Sequence, residues 1–223
     1  MKKFKIPSLS RENAKRRRIL ASALKVFSKE GYSGATMDAI ALEAAVSKPT
    51  LYTYFGAKEK LFEAIMVAER DVMLHSFEHS SGNFVEDLHT FAWHYAETVM
   101  KAEFLSLARL IISEAQRFPA IGRAYQVAGP DRVLRGIMNY LQEQKEKGAV
   151  SFVDAELAAQ DLWALILSAP RNHALHIPDE IPNRREIKRY VDNGLRVFLA
   201  AYSTNAAADI TRLKTYVRKK RDR

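Results

Sequence analysis

Apolar residues recur at three- and four-residue spacing along most of the chain, and alternating or β-branched runs are short. The pattern predicts helices nearly throughout. A first helix begins after Ser10 and ends at Gly31, with an apolar stripe of Ile19, Ala23, Val26 and Phe27, and with Leu20 and Leu24 beside it. A second follows Thr36, a good N-cap, and carries Ile40 and Leu42. Ala45 and Val46 make a tight turn, a third helix spans about Ser47 to Phe55, and Gly56-Ala57 breaks the chain. A fourth helix starts near Lys58, holds Leu61, Phe62, Ile65 and Met66, and continues to about Phe77.

Beyond a Ser/Gly loop at 80–82, helices are expected over Phe84–Lys101 and Phe104–Arg117. The next opens at Pro119, is split at Gly129-Pro130 and ends at Gly148. Asp154 caps a helix over Ala155–Ala169; Pro170–Pro182, with three prolines, is expected as a loop; a long helix covers Arg184–Tyr202. The tail from 205 adds at most a short basic helix. The expected fold is therefore all-α: an N-terminal three-helix helix-turn-helix unit and a larger helical bundle.

Charge changes the picture only when it is divided along the chain. Residues 1–60 hold 13 Lys and Arg against 5 Asp and Glu, a net +8, whereas residues 61–211 hold 15 against 20, a net −5. Residues 212–223 return to +6. The basic helix-turn-helix segment thus asks for a polyanion, although basic ends are also common as solvated tails. Lys15, Arg16, Arg17 and Arg18 stand near the start of the first helix, where cations oppose the helix dipole, so a facing phosphate gives them a reason to be there. With no cysteine, disulfide and thiolate chemistry are excluded. The N-terminus lacks the apolar run of a signal peptide, and the longest apolar clusters fall well short of the roughly 20 residues that span a bilayer. A cytoplasmic protein without a membrane partner is expected.

An α-helix entering the major groove end-on reads bases with its first turn. Here that turn is Ser47, Lys48, Pro49 and Thr50. Lys48 can donate to guanine, Thr50 can bond a base or touch a thymine methyl, and Pro49 presents an apolar edge. Leu51 and Phe55 point inward and lock the helix down. Tyr52, Thr53 and Tyr54 line its outer side, and Thr36 and Lys58 sit at helix N-termini, where anions bind.

The stretch TMDAIALEAAVSKPTLYTYFGAKEKLF resembles the DNA-binding domain of the tetracycline-repressor (TetR) family of bacterial regulators, and the likeness covers about residues 11–66. The resemblance implies base reading by Ser47, Lys48, Pro49, Thr50 and Thr53, and phosphate contact by Thr36, Tyr52, Tyr54 and Lys58. One departure stands in the turn: Ala45 occupies the position that usually holds glycine, where a positive φ would cost on the order of 1 kcal/mol. The segment FLSLARLIISEAQRFPAIGRAYQVAGPDR is similar to the subgroup with an AefR-like C-terminal domain.

The same resemblance implies a small-molecule pocket in the helical body and a homodimer formed by the last two long helices. Pocket candidates are Met66, Phe91, Trp93, His94, Tyr95, Phe104, Leu107, Tyr125 and Trp163, an aromatic set suited to a bulky, partly hydrophobic effector. Interface candidates are Leu162, Leu165, Val191, Gly194, Leu195, Phe198 and Tyr202, with Gly194 able to admit close helix approach; the alternative is that these faces close the chain's own core. His75 and His79, at i and i+4, lack an evident third ligand, so no metal and no other cofactor is expected.

The division reads as a basic arm at 1–10, a DNA-binding unit at 11–60, a ligand-binding and dimerising body at 61–204 and a basic tail at 205–223. Function is expected to be release of a repressor from a double-stranded, pseudo-palindromic operator by a small-molecule effector. The alternatives are a sequence-tolerant architectural binder and an enzyme tethered to DNA. The latter has no Ser/His/Asp order, phosphate loop or metal set behind it.

Overall fold

The computed structural model describes residues 11–78 and 80–221. The basic arm at 1–10 and the side chains of His75 and His79 lie outside the described residues. Eleven helices are described: α1 Arg11–Gly34, α2 Met37–Glu43, α3 Lys48–Phe55, α4 Lys58–Glu78, α5 Phe84–Val99, α6 Ala102–Glu114, α7 Pro119–Ala128, α8 Pro130–Glu146, α9 Ala155–His176, α10 Arg184–Tyr202 and α11 Ala206–Arg221. The only strand-like pairing among the described residues is an isolated bridge between Val150 and Ser203.

Helices α1 to α3 and the start of α4 form a small head. Its centre is three rings: Phe27 stacks on Tyr32 at 5.6 Å, and Phe62 meets both edge-on, at 5.9 and 5.7 Å. The helical run of α1 breaks at Gly31 (φ 77°, ψ 166°), where the glycine was read as its end. Thr36 caps α2 by accepting from the Ala39 amide at 3.1 Å. Leu42 does not belong to the buried face of α2. It is 83% exposed, because it lies two residues from Ile40 and so points away from Met37, Ile40 and Ala41, which are buried.

The turn into α3 is held by the Ala45 amide on the Leu42 carbonyl and the Val46 amide on the Ala41 carbonyl, both at 3.0 Å. That pairing puts Ala45 in the left-handed region, at φ 48°. Alanine there carries strain that glycine lacks. Ala45→Gly is therefore expected to stabilise the chain by roughly 0.5–1 kcal/mol, the relief of strain exceeding the entropy the glycine adds to the unfolded chain. Reversible thermal denaturation checks this; an unchanged or lower midpoint contradicts it.

The body is built on α4, α5, α8, α9 and α10, and α9 and α10 pack along much of their length. The chain does split at Gly129-Pro130, and Asp154 does cap α9, accepting from the Glu156 and Leu157 amides at 2.8 and 3.1 Å. Two expectations are corrected. Helix α9 passes through Pro170 and ends only at His176. Pro170 and Ala174 are buried, so packing carries the helix through the proline; in its last turn Arg109 Nη1 donates at 3.0 Å to the Ala174 carbonyl, whose i+4 residue, Pro178, has no N–H. The C-terminal segment, expected as a basic tail adding a short helix, forms a longer helix of 16 residues. Its Leu213 is 4% exposed, and Asp209 accepts from Ser203 Oγ and Arg212, both at 2.8 Å.

Candidate functional site

Helix α3 is eight residues long and is too short to persist alone. Leu51 (0% exposed) and Phe55 pin it to the head core, which leaves the opposite side free. Ser47 caps it, accepting from the Thr50 amide at 3.3 Å and meeting Thr50 Oγ1 at 2.8 Å; Pro49 sits where an N–H has no helical partner anyway. Ser47, Lys48 and Pro49 are exposed and Thr50 is partly so. Tyr52 is exposed, whereas Tyr54 is half-buried, with the Lys15 ammonium 5.8 Å from its ring. Arg16 lies over Phe55 at 5.6 Å, so the cationic start of α1 stands beside the end of α3.

Three candidate residues are engaged in ways the sequence did not reveal. Lys48 Nζ pairs with Asp38 Oδ1 of α2 at 2.8 Å, and that hydrogen bond and the carboxylate's charge hold Lys48 above the usual ammonium value. Both side chains are largely exposed, so the pair is weak and opens readily. Thr53 Oγ1 donates to the Pro49 carbonyl at 2.9 Å, within α3 itself. Lys58 folds away from solvent: its Nζ donates to the carbonyls of Tyr32 at 2.7 Å and Ala35 at 3.0 Å, and lies 4.6 Å from the centre of the Tyr32 ring. Lys58 thus fastens the start of α4 to the link between α1 and α2. Its ammonium is not a free phosphate ligand, because unpaired carbonyls at the broken end of α1 take it.

In the body, a cavity of about 270 Å³ is lined by residues of α4, α5, α6, α7, α8 and α9. Met66, Tyr95, Phe104, Tyr125 and Trp163 line it, as the sequence suggested. Phe91 and Leu107 do not; both are wholly buried in the packed core. Trp93 lies under the Arg184 guanidinium at 5.0 Å, and His94 lines a separate groove with Arg16, Arg17 and Lys101. Positions 93, 94 and 95 are successive on one helix and point about 100° apart, so they cannot share one pocket. The sequence did not point to Met73, Val99, Gln126, Val133 and Arg171, nor to the Gly129-Pro130 break, which also line it. Arg171 lies in the stretch mistaken for a loop.

The interface candidates are also placed differently. Leu162, Val191, Leu195 and Phe198 are 0% exposed within the single chain, and Gly194 is buried where α10 crosses the Leu165 backbone of α9. They close the chain's own core, the alternative the apolar faces left open. Leu165 is 37% exposed, and Tyr202 is partly buried with its hydroxyl donating to Asp161. Among the described residues no group of three or more His, Asp or Glu could hold a metal ion, and no helix is long and apolar enough to cross a membrane.

A short reading helix held by its inner face, capped at its open end and flanked by cations defines a helix-turn-helix DNA-binding protein. Comparison with known proteins specifies the kind. Residues 19–65 match the model of the tetR family of bacterial regulatory proteins, and residues 86–204 match the C-terminal domain of the AefR-like transcriptional repressors. The helix-turn-helix regulator YhgD of Bacillus subtilis is 30% identical over 150 residues, spanning 63% of this chain and 74% of the relative. A solved tetR-family transcriptional regulator from Mesorhizobium loti is 30% identical, with a TM-score of 0.72 over 87% of this chain and 100% of the other. The flavonoid-responsive regulator FrrA is 29% identical, with a TM-score of 0.60 over 86% and 98%. The chain belongs to the tetR family, as a transcriptional regulator and not an enzyme.

Proposed function

We propose that the chain is a cytoplasmic, homodimeric repressor released from a double-stranded, pseudo-palindromic operator by a small molecule. The observation that carries this reading is the exposed first turn of α3, Ser47 to Thr50, presented by a head whose residues 11–60 hold 10 Lys and Arg against 5 Asp and Glu, a net +5. In it residues 11–60 form the head, residues 61–204 the effector-binding and dimerising body, and α11 packs on that body. Ser47, Lys48, Pro49 and Thr50 face base edges; Thr53 joins them once its hydroxyl turns from Pro49. Tyr52, Tyr54 and the amides at the N-termini of α2 and α4, beside Thr36 and Lys58, face phosphate. The dimer uses the exposed sides of α9 and α10, where Leu157, Leu165 and Tyr190 stand in solvent.

The coupling runs through α4. Met66 and Met73 of this helix line the cavity, and its first residue, Lys58, is bound to the α1–α2 link. An effector that displaces α4 carries the head with it. Two rigid heads then lose the spacing that lets both half-sites be held at once, and avidity disappears. The aromatic lining and the likeness to a flavonoid-responsive regulator support a ring-bearing effector.

Selection from a random DNA pool tests the reading. The expected product is two inverted half-sites, one helical turn (about 34–36 Å) or a multiple of it apart, from which a subset of screened small molecules releases the protein. Equal retention of random and selected DNA at fixed salt contradicts it and favours sequence-tolerant binding.

A further inference from the structure

The cavity is mainly apolar; its polar groups are the Gln126 amide, the tyrosine hydroxyls, the Trp163 indole and the Arg171 guanidinium. Its described lining includes Tyr95, Trp163 and the sulfur-bearing Met66 and Met73, and contains a single cation, Arg171, with no Asp or Glu. A second recess of about 470 Å³ lies against α9 and shares Tyr95, Trp163 and Arg171 with the first; it too is lined by no carboxylate among the described residues. Arg171 therefore stands where the two recesses meet. Its Nε is fully buried and has no hydrogen-bond partner among the described residues.

An unpartnered guanidinium nitrogen in such a place is costly to the empty protein. The neighbouring phenol does not supply the missing charge. Burial pushes Tyr95 up to about 12, with the Arg171 charge opposing, so at neutral pH it remains a neutral hydroxyl. What the site lacks is an anion with flat, paired oxygens, and guanidinium binds carboxylate in that way.

Resting on the effector-release reading, we propose that the ligand is a compact carboxylic acid. Its carboxylate pairs with Arg171, and its ring or short hydrocarbon body fills the chamber beside Tyr95, Trp163 and Met66. The acid binds ionised, so no proton is exchanged with the protein at neutral pH. A neutral amide of the same shape can accept from the buried Nε–H but leaves the guanidinium without a counter-charge, which is the origin of the selectivity.

The test is calorimetric titration at neutral pH with naphthoate, cinnamate and octanoate, each beside its primary amide. At least one acid is expected to bind about tenfold more tightly than its amide, the equivalent of one charge-assisted hydrogen bond. Arg171→Met is expected to reduce that acid to the level of its amide and to leave the amide unchanged. Without ligand, the same variant is expected to melt at or above the wild-type temperature, since it removes a charge that has no partner. Equal binding of acid and amide in every pair, no binding by any of the six at millimolar concentration, a preference that survives in Arg171→Met, or a clear fall in its melting temperature would each overturn the proposal. Operator binding by the same preparations separates the two readings. An operator held by wild type and variant alike, without an acid preference, sinks only the ligand assignment. An acid preference without any selectable operator sinks only the release mechanism.

Discussion

Gly194→Val is expected to lower stability by about 3 kcal/mol or more, the largest effect of any single substitution considered for this chain. A Cβ built on Gly194 lies 2.3 Å from the Leu165 carbonyl oxygen, 2.7 Å from its carbon and 3.1 Å from the Ile166 Cα. All three are backbone atoms of α9, so no side chain can turn aside to make room. The two helices must separate, and the contact they make encloses Leu162, Val191, Leu195 and Phe198, none of which has any exposed surface. Even alanine meets the same clash; valine adds two methyl groups to it. For a chain of this length the thermal midpoint should fall by roughly 10 °C. Circular dichroism during heating measures it, and a midpoint within a degree or two of wild type would show that α9 and α10 do not approach as described.

Gly194 also shows how far sequence goes. The glycine on an apolar helix face announces a close approach, and the approach is there. Nothing in the pattern says whether the neighbour is a helix of the same chain or of a second copy, because both bury the same residues. In the structure the neighbour is α9 of the same chain. Local signals read well elsewhere for a common reason: Thr36, Ser47 and Asp154 cap helices with their own side chains, and Gly31 and Gly129 interrupt them through their own backbone. Their cause lies within a few residues.

The features that escaped have distant causes. Pro170 reads as a breaker, yet α9 continues because Pro170 and Ala174 are buried in the body, and its last turn is held by Arg109, 65 residues away from Ala174, whose carbonyl it bonds. Lys58 reads as a surface cation beside DNA, yet carbonyls 26 and 23 residues earlier claim it. Arg171 was hidden by the same error as Pro170: a residue assigned to a loop is not considered for a cavity. The aromatic set was half right, since five of its members reach the chamber, while Phe91 and Leu107 serve packing. Composition marks such residues as interior but does not say which interior.

The second large effect concerns the reading helix. Lys48 is the one charged side chain in the exposed first turn of α3, and in the free protein it rests on Asp38 across the turn. That contact is weak and solvent-exposed, and it holds the ammonium near the open face without committing it. On DNA the lysine is expected to leave Asp38 for guanine O6 or N7. Lys48→Ala removes this choice and touches nothing buried. The fold and melting temperature should stay as they are, nonspecific DNA should still be bound, and discrimination at one base pair of each half-site should fall roughly tenfold.

The most direct measurement of the central claim is therefore a comparison of base preference. Wild type and Lys48→Ala are taken through the same random-pool selection at one fixed salt concentration. A helix that reads DNA through its first turn predicts that the two selected sites match except at one position in each half-site, where the variant accepts other bases. Identical sites, position by position, would contradict the assignment of α3 as the reading helix.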